Sequence, residues 1–127
     1  MTVEATFIEK GIYLSKWVDI ITADDVVLSQ EQVLALADEQ GDTQYVLVVD
    51  ARDFKRAQIT FQLVRKVIAR NNKRLLGYVI IGMSVTTQVF TKAFGVVAQL
   101  PYKFAKDQDE AVSIGREWLK NYQEKIK

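Results

Sequence analysis

Solid apolar runs alternate along this chain with stretches of helical period. Tyr45-Val46-Leu47-Val48-Val49 stops at Asp50-Ala51-Arg52, and Leu76-Gly77-Tyr78-Val79-Ile80-Ile81 stops at Gly82-Met83-Ser84. Short β-branched runs without alternation are what strands buried on both faces look like, and helices between them supply the crossovers that parallel strands require. The pattern predicts an α/β domain. Open parallel sheets place their working surface outside the carboxyl ends of the strands, where the polar residues after each run fall.

The remaining elements follow from local signals. Thr6 to Trp17 reads as extended structure, with Gly11 as a turn or bulge between two strand segments and Trp17 suited to an edge or rim. Thr22 and Asp25 form a helix-start signal, because the hydroxyl can accept a backbone N–H three residues on while the carboxylate reaches back. Val26, Val27, Val33, Leu34 and Ala37 then recur near helical spacing, and Gly41 is the expected stop. A second helix is predicted over Ala57 to Arg70, with Phe61, Val64 and Ile68 on one face. Its basic residues crowd the C-terminal end, where they complement the helix dipole. A third begins near Ser84 and runs through Val85, Val89, Phe90, Ala93, Phe94 and Val97. Pro101 introduces a short strand, Tyr102-Lys103-Phe104, and Asp107 or Asp109 caps a last helix carrying Ala111, Ile114, Gly115, Trp118 and Tyr122 on one side. The expectation is one domain over residues 1–127, a βαβαβαβα unit with an extended N-terminal lead.

Composition narrows the chemistry. The chain has no cysteine and no histidine, which removes thiolate and imidazole catalysis and most zinc, copper and haem sites. Seventeen basic and sixteen acidic side chains nearly cancel, so no global field favours nucleic acid or an acidic membrane. No signal-peptide pattern opens the chain, and no apolar run approaches the roughly 20 residues of a membrane-spanning helix. A cytoplasmic location is expected, with no cofactor and no metal.

The candidate chemistry gathers at strand ends. Ser84, Thr86 and Thr87 follow a strand and open a helix, where backbone N–H groups can hold an anion or a hydroxyl can be phosphorylated; capping by Ser84 explains the same residues. Arg52, Lys55 and Arg56 would form a small basic rim beside them, suited to a phosphate or an acidic partner, unless they are solvated loop charge. Phe90 and Phe94 make the third helix apolar nearly all round. A helix of that kind is either deeply buried or covered by something outside this chain, a protein partner, a second copy or an apolar ligand. A phosphate-accepting receiver domain fails on its metal site, since Asp24-Asp25 lies at a helix start rather than after the first strand.

Thr22-Ala23-Asp24-Asp25, Tyr45 to Arg52, and Asp107-Gln108-Asp109-Glu110-Ala111 leading to Trp118-Leu119 together resemble the STAS/SEC14-type, anti-sigma-factor-antagonist-like (SpoIIAA-like) bacterial domains, from about Ile12 to Leu119. The resemblance implies a STAS-like fold, a mostly parallel sheet of four to five strands with about four helices. It also implies a non-enzymatic regulatory or scaffold role. In the antagonist proteins a phosphorylatable serine opens the helix after the central strand, within an Asp-Ser-Ser-Gly-like run. Here Asp53-Phe54-Lys55-Arg56-Ala57 stands in that place, so a phospho-switch would fall to Ser84, Thr86 or Thr87. The expected function is binding of a protein partner through the third helix and the strand-end loops, with Phe90 and Phe94 supplying buried area. The related lipid-carrier fold supplies the alternative, a carrier or sensor of a lipid or phosphorylated metabolite.

Overall fold

A computed structural model of the chain describes residues 3–58, 74–82 and 101–125, without the side chains of residues 21, 23 and 55–58. Five strands and two helices occur among them: β1 (Val3–Glu9), β2 (Ile12–Thr22), α1 (Ala23–Gln40), β3 (Tyr45–Gln58), β4 (Leu75–Ile81), β5 (Tyr102–Ala105) and α2 (Gln108–Lys125). The strands form a single sheet in chain order, β1 antiparallel to β2 and each later neighbour parallel. The fold is thus the predicted α/β arrangement with a mostly parallel sheet. The third predicted helix lies outside the described residues. So does the second, except for Ala57 and Gln58, which belong to β3.

The local signals place the elements as expected. Gly11 has φ 81° in the two-residue turn between β1 and β2, and a Cβ there would come within 2.9 Å of Leu119. Thr22 and Asp25 close the reciprocal capping box of α1, and Gly41, at φ 74°, ends that helix with its N–H on the Ala37 and Asp38 carbonyls. Asp107 Oδ1 accepts from the Glu110 N–H at 2.9 Å and caps α2.

Strand alternation sorts the core onto two faces. Ile12, Val46, Val48, Val79 and Ile81 pack with Ala111 and Val112 of α2. Tyr13, Tyr45 and Leu75 pack with Val33 and Ala37 of α1 on the other face. Gly115 lets α2 approach closely, since a Cβ there would lie 3.2 Å from Ile12 and 3.4 Å from Val46. Gly77 does the same for β4, where a Cβ would meet the Pro101 carbonyl oxygen and the Trp118 ring, each at 2.8 Å. On β1, at the edge of the sheet, Gln32 of α1 accepts the Ala5 N–H at 3.1 Å, so that a strand seeking this edge would find its centre already bonded.

Two expectations are corrected. Asp50-Ala51-Arg52 does not end its strand: β3 continues to Gln58, paired with β2 as far as Thr22. Asp50 pairs with Lys16 and Asp53 with Val18, leaving Ala51 and Arg52 together opposite Trp17, which is a β-bulge. A second irregularity follows, where Asp19 pairs with Phe54 and Ile20 with Arg56. Asp19 there has φ 59°, a left-handed conformation that Asp tolerates better than most residues. Trp17 is likewise not on an edge. It lies in β2, between β1 and β3, with its ring 5.8 Å from that of Phe54 and its N–H donated to Ser15 Oγ at 3.0 Å.

Candidate functional site

The bulge of β3 sits where β4 leaves the sheet. Asp50 pairs with Ile81, the last residue of β4, and among the described residues the pairing of β3 from Ala51 onward is with β2. Strand alternation puts Asp50 on the same face as Val46 and Val48, and the residue is only 4% exposed. A carboxylate in that position needs partners. Arg52 supplies three: its Nε donates to Oδ1 at 3.0 Å, its Nη2 to Oδ2 at 2.8 Å, and its backbone N–H to Oδ1 at 3.2 Å. The bulged strand's own amide is thereby satisfied by a side chain two residues back.

Gly82 completes the geometry. It has φ 76°, and any Cβ would collide with Arg52 Cγ and stand 3.1 Å from Arg52 Cα. Glycine therefore lets β4 end directly against the arginine. The hydrogen bonds from Arg52 hold the Asp50 carboxyl below the usual carboxylate range, against the opposing pull of burial. A carboxylate so held is a weak proton acceptor, which argues against Asp50 as a general base. Lys16 Nζ stands 3.9 Å from Asp53 Oδ2, both substantially exposed, a pair of little energetic consequence.

The basic residues read from the sequence as a loop rim are therefore strand residues. Arg52 is the bulge residue, Lys55 lies at the second irregularity, and Arg56 pairs with Ile20. Asp50, one of the polar residues after the Tyr45 to Val49 run, is buried. Ser84, Thr86, Thr87, Phe90 and Phe94 lie outside the described residues.

A polar centre that sequence reasoning missed lies at the opposite, amino end of the parallel strands. Asp42, in the turn between α1 and β3, is 6% exposed. Its Oδ2 accepts the Tyr13 hydroxyl at 2.6 Å and the Gly11 N–H at 2.9 Å, and its Oδ1 accepts from Lys10 at 3.1 Å. Burial would raise the Asp42 carboxyl, but these bonds outweigh it and the net direction is downward. Burial, then the neighbouring carboxylate, push the Tyr13 phenol well above its ordinary value. Arg74 donates to the Asp42 carbonyl at 2.7 Å and pairs with Asp38 at 3.1 Å, along an open cleft of about 320 Å³. The only local hint was an acid after the helix stop; its partners on the hairpin are about 30 residues away in the chain.

No protein-family model matches the sequence, and no curated protein matches it. Solved structures do. An uncharacterised protein from the DUF3478 family with a SpoIIAA-like fold, from Shewanella loihica PV-4, is 14% identical, with 89% of this chain and 91% of that one covered at a TM-score of 0.64. The anti-sigma factor antagonist SpoIIAA in its unphosphorylated form is 9% identical, with 90% and 97% covered at a TM-score of 0.62. At such identities what is shared is the backbone arrangement, and the chain has a STAS-type, SpoIIAA-like α/β fold.

Proposed function

We propose that this chain is a non-enzymatic, cytoplasmic regulatory or scaffold domain that acts by binding a protein partner. The surface would comprise the carboxyl-end bulge of β3 and the stretch from Ser84 to Phe94. The observation that carries the reading is the Asp50–Arg52 pair. At the end of the sheet where open α/β folds place their function, the buried carboxylate is neutralised by its own neighbour, and the arginine beside it remains half exposed. That arrangement makes a charged recognition surface rather than a poised base or nucleophile. The likeness in fold to a protein described as an anti-sigma factor antagonist supports the same class of role.

The test is replacement of both Phe90 and Phe94 by Ser, with the partner followed by cross-linking in the host and mass spectrometry. Loss of the cross-linked partner, with the circular dichroism spectrum retained, is the expected result. An insoluble variant would show that the rings are core and sink this choice of surface. Native mass spectra of gently purified protein separate the carrier alternative, which requires a retained small molecule.

A further inference from the structure

We infer that Gln32 is a guard on the outer edge of the sheet, holding β1 closed to antiparallel pairing with β1 of a second copy of this chain. The inference is independent of the partner-binding reading above.

The strand itself invites pairing. Among the described residues β1 is the outermost strand on its side of the sheet. From Val3 to Ile8 it has no proline, lysine or arginine, and Glu4 is the lone charge, so the usual protections of an edge are thin there. The register with β2 is unbroken from Val3 to Phe7, and an irregularity follows. In an antiparallel pair each residue turns its N–H and C=O to one side, and the side alternates along the strand. The Ala5 N–H goes to Gln32 and not to β2, so Val3, Ala5 and Phe7 share the outward row. That row is self-complementary. A two-fold axis at Ala5 would set Ala5 against Ala5 and Val3 against Phe7 of the second copy, so that every outward N–H meets a carbonyl oxygen. Glu4 would stand opposite Thr6, and no like charges would meet.

Gln32 closes the row at its centre. Ala5 and Phe7 pack toward Val33 and Ala37 of α1, and Val3 packs toward Val26, so the helix lies over the edge strand. Gln32 precedes Val33 by one residue, and its Oε1 accepts the Ala5 N–H at 3.1 Å. The oxygen stands where the carbonyl of an incoming strand would, on the amide nearest the two-fold axis. Because the axis repeats the contact, pairing would have to break the Gln32 bond in both copies. An uncharged carboxamide does this without bringing an ion over the apolar contacts between β1 and α1.

The experiment is sedimentation equilibrium of the full-length protein and its Gln32→Ala variant, from about 10 μM to about 1 mM, with amide hydrogen exchange measured at both ends of the range. One net hydrogen bond is worth about fivefold, so freeing both copies should tighten self-association about 30-fold. In the variant the Ala5 amide should exchange fast when dilute, and the Val3, Ala5 and Phe7 amides should gain protection when concentrated. Adding Ala5→Pro removes the central donor at an edge position, where proline is tolerated, and should reverse the gain. Equal self-association of the parent and Gln32→Ala chains, association that leaves these amides unprotected, or a gain that survives Ala5→Pro would overturn the inference. If the double variant does not fold, the exchange pattern of Gln32→Ala decides alone. A Gln32→Ala chain that is itself unfolded by circular dichroism would show that the glutamine holds the fold rather than the edge, and would equally overturn it.

Discussion

Asp42 is expected to be the most costly polar residue to remove at the amino end of the sheet. Asp42→Ala leaves two buried donors without an acceptor, the Gly11 N–H and the Tyr13 hydroxyl, while Lys10, 81% exposed, turns to water at little cost. Each orphaned buried donor costs about 1–3 kcal/mol. The variant should therefore lose about 3–5 kcal/mol, a large part of the roughly 5–15 kcal/mol of a typical domain. In urea, with a slope of about 2 kcal/mol/M, that is a midpoint shift of about 1.5–2.5 M. Tyr13→Phe alone should cost about 1–2 kcal/mol, since the carboxylate keeps Gly11 and Lys10. In the Asp42→Ala background the same change removes an orphan and should be neutral or favourable, giving a coupling of about 1–3 kcal/mol. Equal costs of Tyr13→Phe in both backgrounds, or a loss below about 1 kcal/mol for Asp42→Ala, would refute the reasoning. The pH dependence carries a sign of its own. The folded pKa of Asp42 is depressed, so its contribution is present above the unfolded value of about 3.9 and is lost as pH falls toward the folded one. Tyr13, raised in the folded state, adds a contribution that is present below about pH 10 and is lost above it. Asp42→Ala should flatten the acid limb of the stability profile.

Two substitutions test the packing and the caps. Gly77→Ala drives a methyl group against the Pro101 carbonyl oxygen and the Trp118 ring, and should cost about 1–3 kcal/mol, with tryptophan emission shifting to the red as α2 is pushed outward. Thr22→Ala removes the hydroxyl that accepts the Asp25 N–H and should lower stability by about 1 kcal/mol in chemical denaturation, whereas Thr22→Ser should be nearly neutral.

The elements that were legible in the sequence are those whose cause is local. The Thr22/Asp25 box, the Gly41 stop and the Asp107 cap each satisfy backbone groups within a few residues, and the Gly11 turn needs a positive φ that glycine takes easily, so composition and spacing carry them. β3 misled because a polar triplet after an apolar run ordinarily marks a turn. In Asp50-Ala51-Arg52 the polarity is cancelled internally, by an acid and an arginine two residues apart, and the strand can continue through a bulge. The Asp-x-Arg spacing was the available signal. Asp42 had no comparable one: its three donors lie on the β1–β2 hairpin, and only pairing of the strands brings Gly11 and Tyr13 to it. Ser15 and Ser29 present the same difficulty, as two buried hydroxyls 2.6 Å apart that join β2 to α1 across 14 residues of chain.

The two ends of the sheet are thus held in different ways, and the difference bears on function. At the amino end, a buried carboxylate ties the β1–β2 hairpin to the α1–β3 turn, while Arg74 joins the start of β4 to the same turn. Removing the Asp42 carboxylate orphans the buried Gly11 N–H and Tyr13 hydroxyl together, so that end resists change. At the carboxyl end, Asp50 is satisfied by Arg52 within one bulge, and Gly82 makes room for the arginine. Such a unit needs little from the rest of the molecule. On the partner-binding reading proposed above, a fold pinned at one end and locally self-satisfied at the other would let its strand-end surface be remodelled without disturbing the core that presents it.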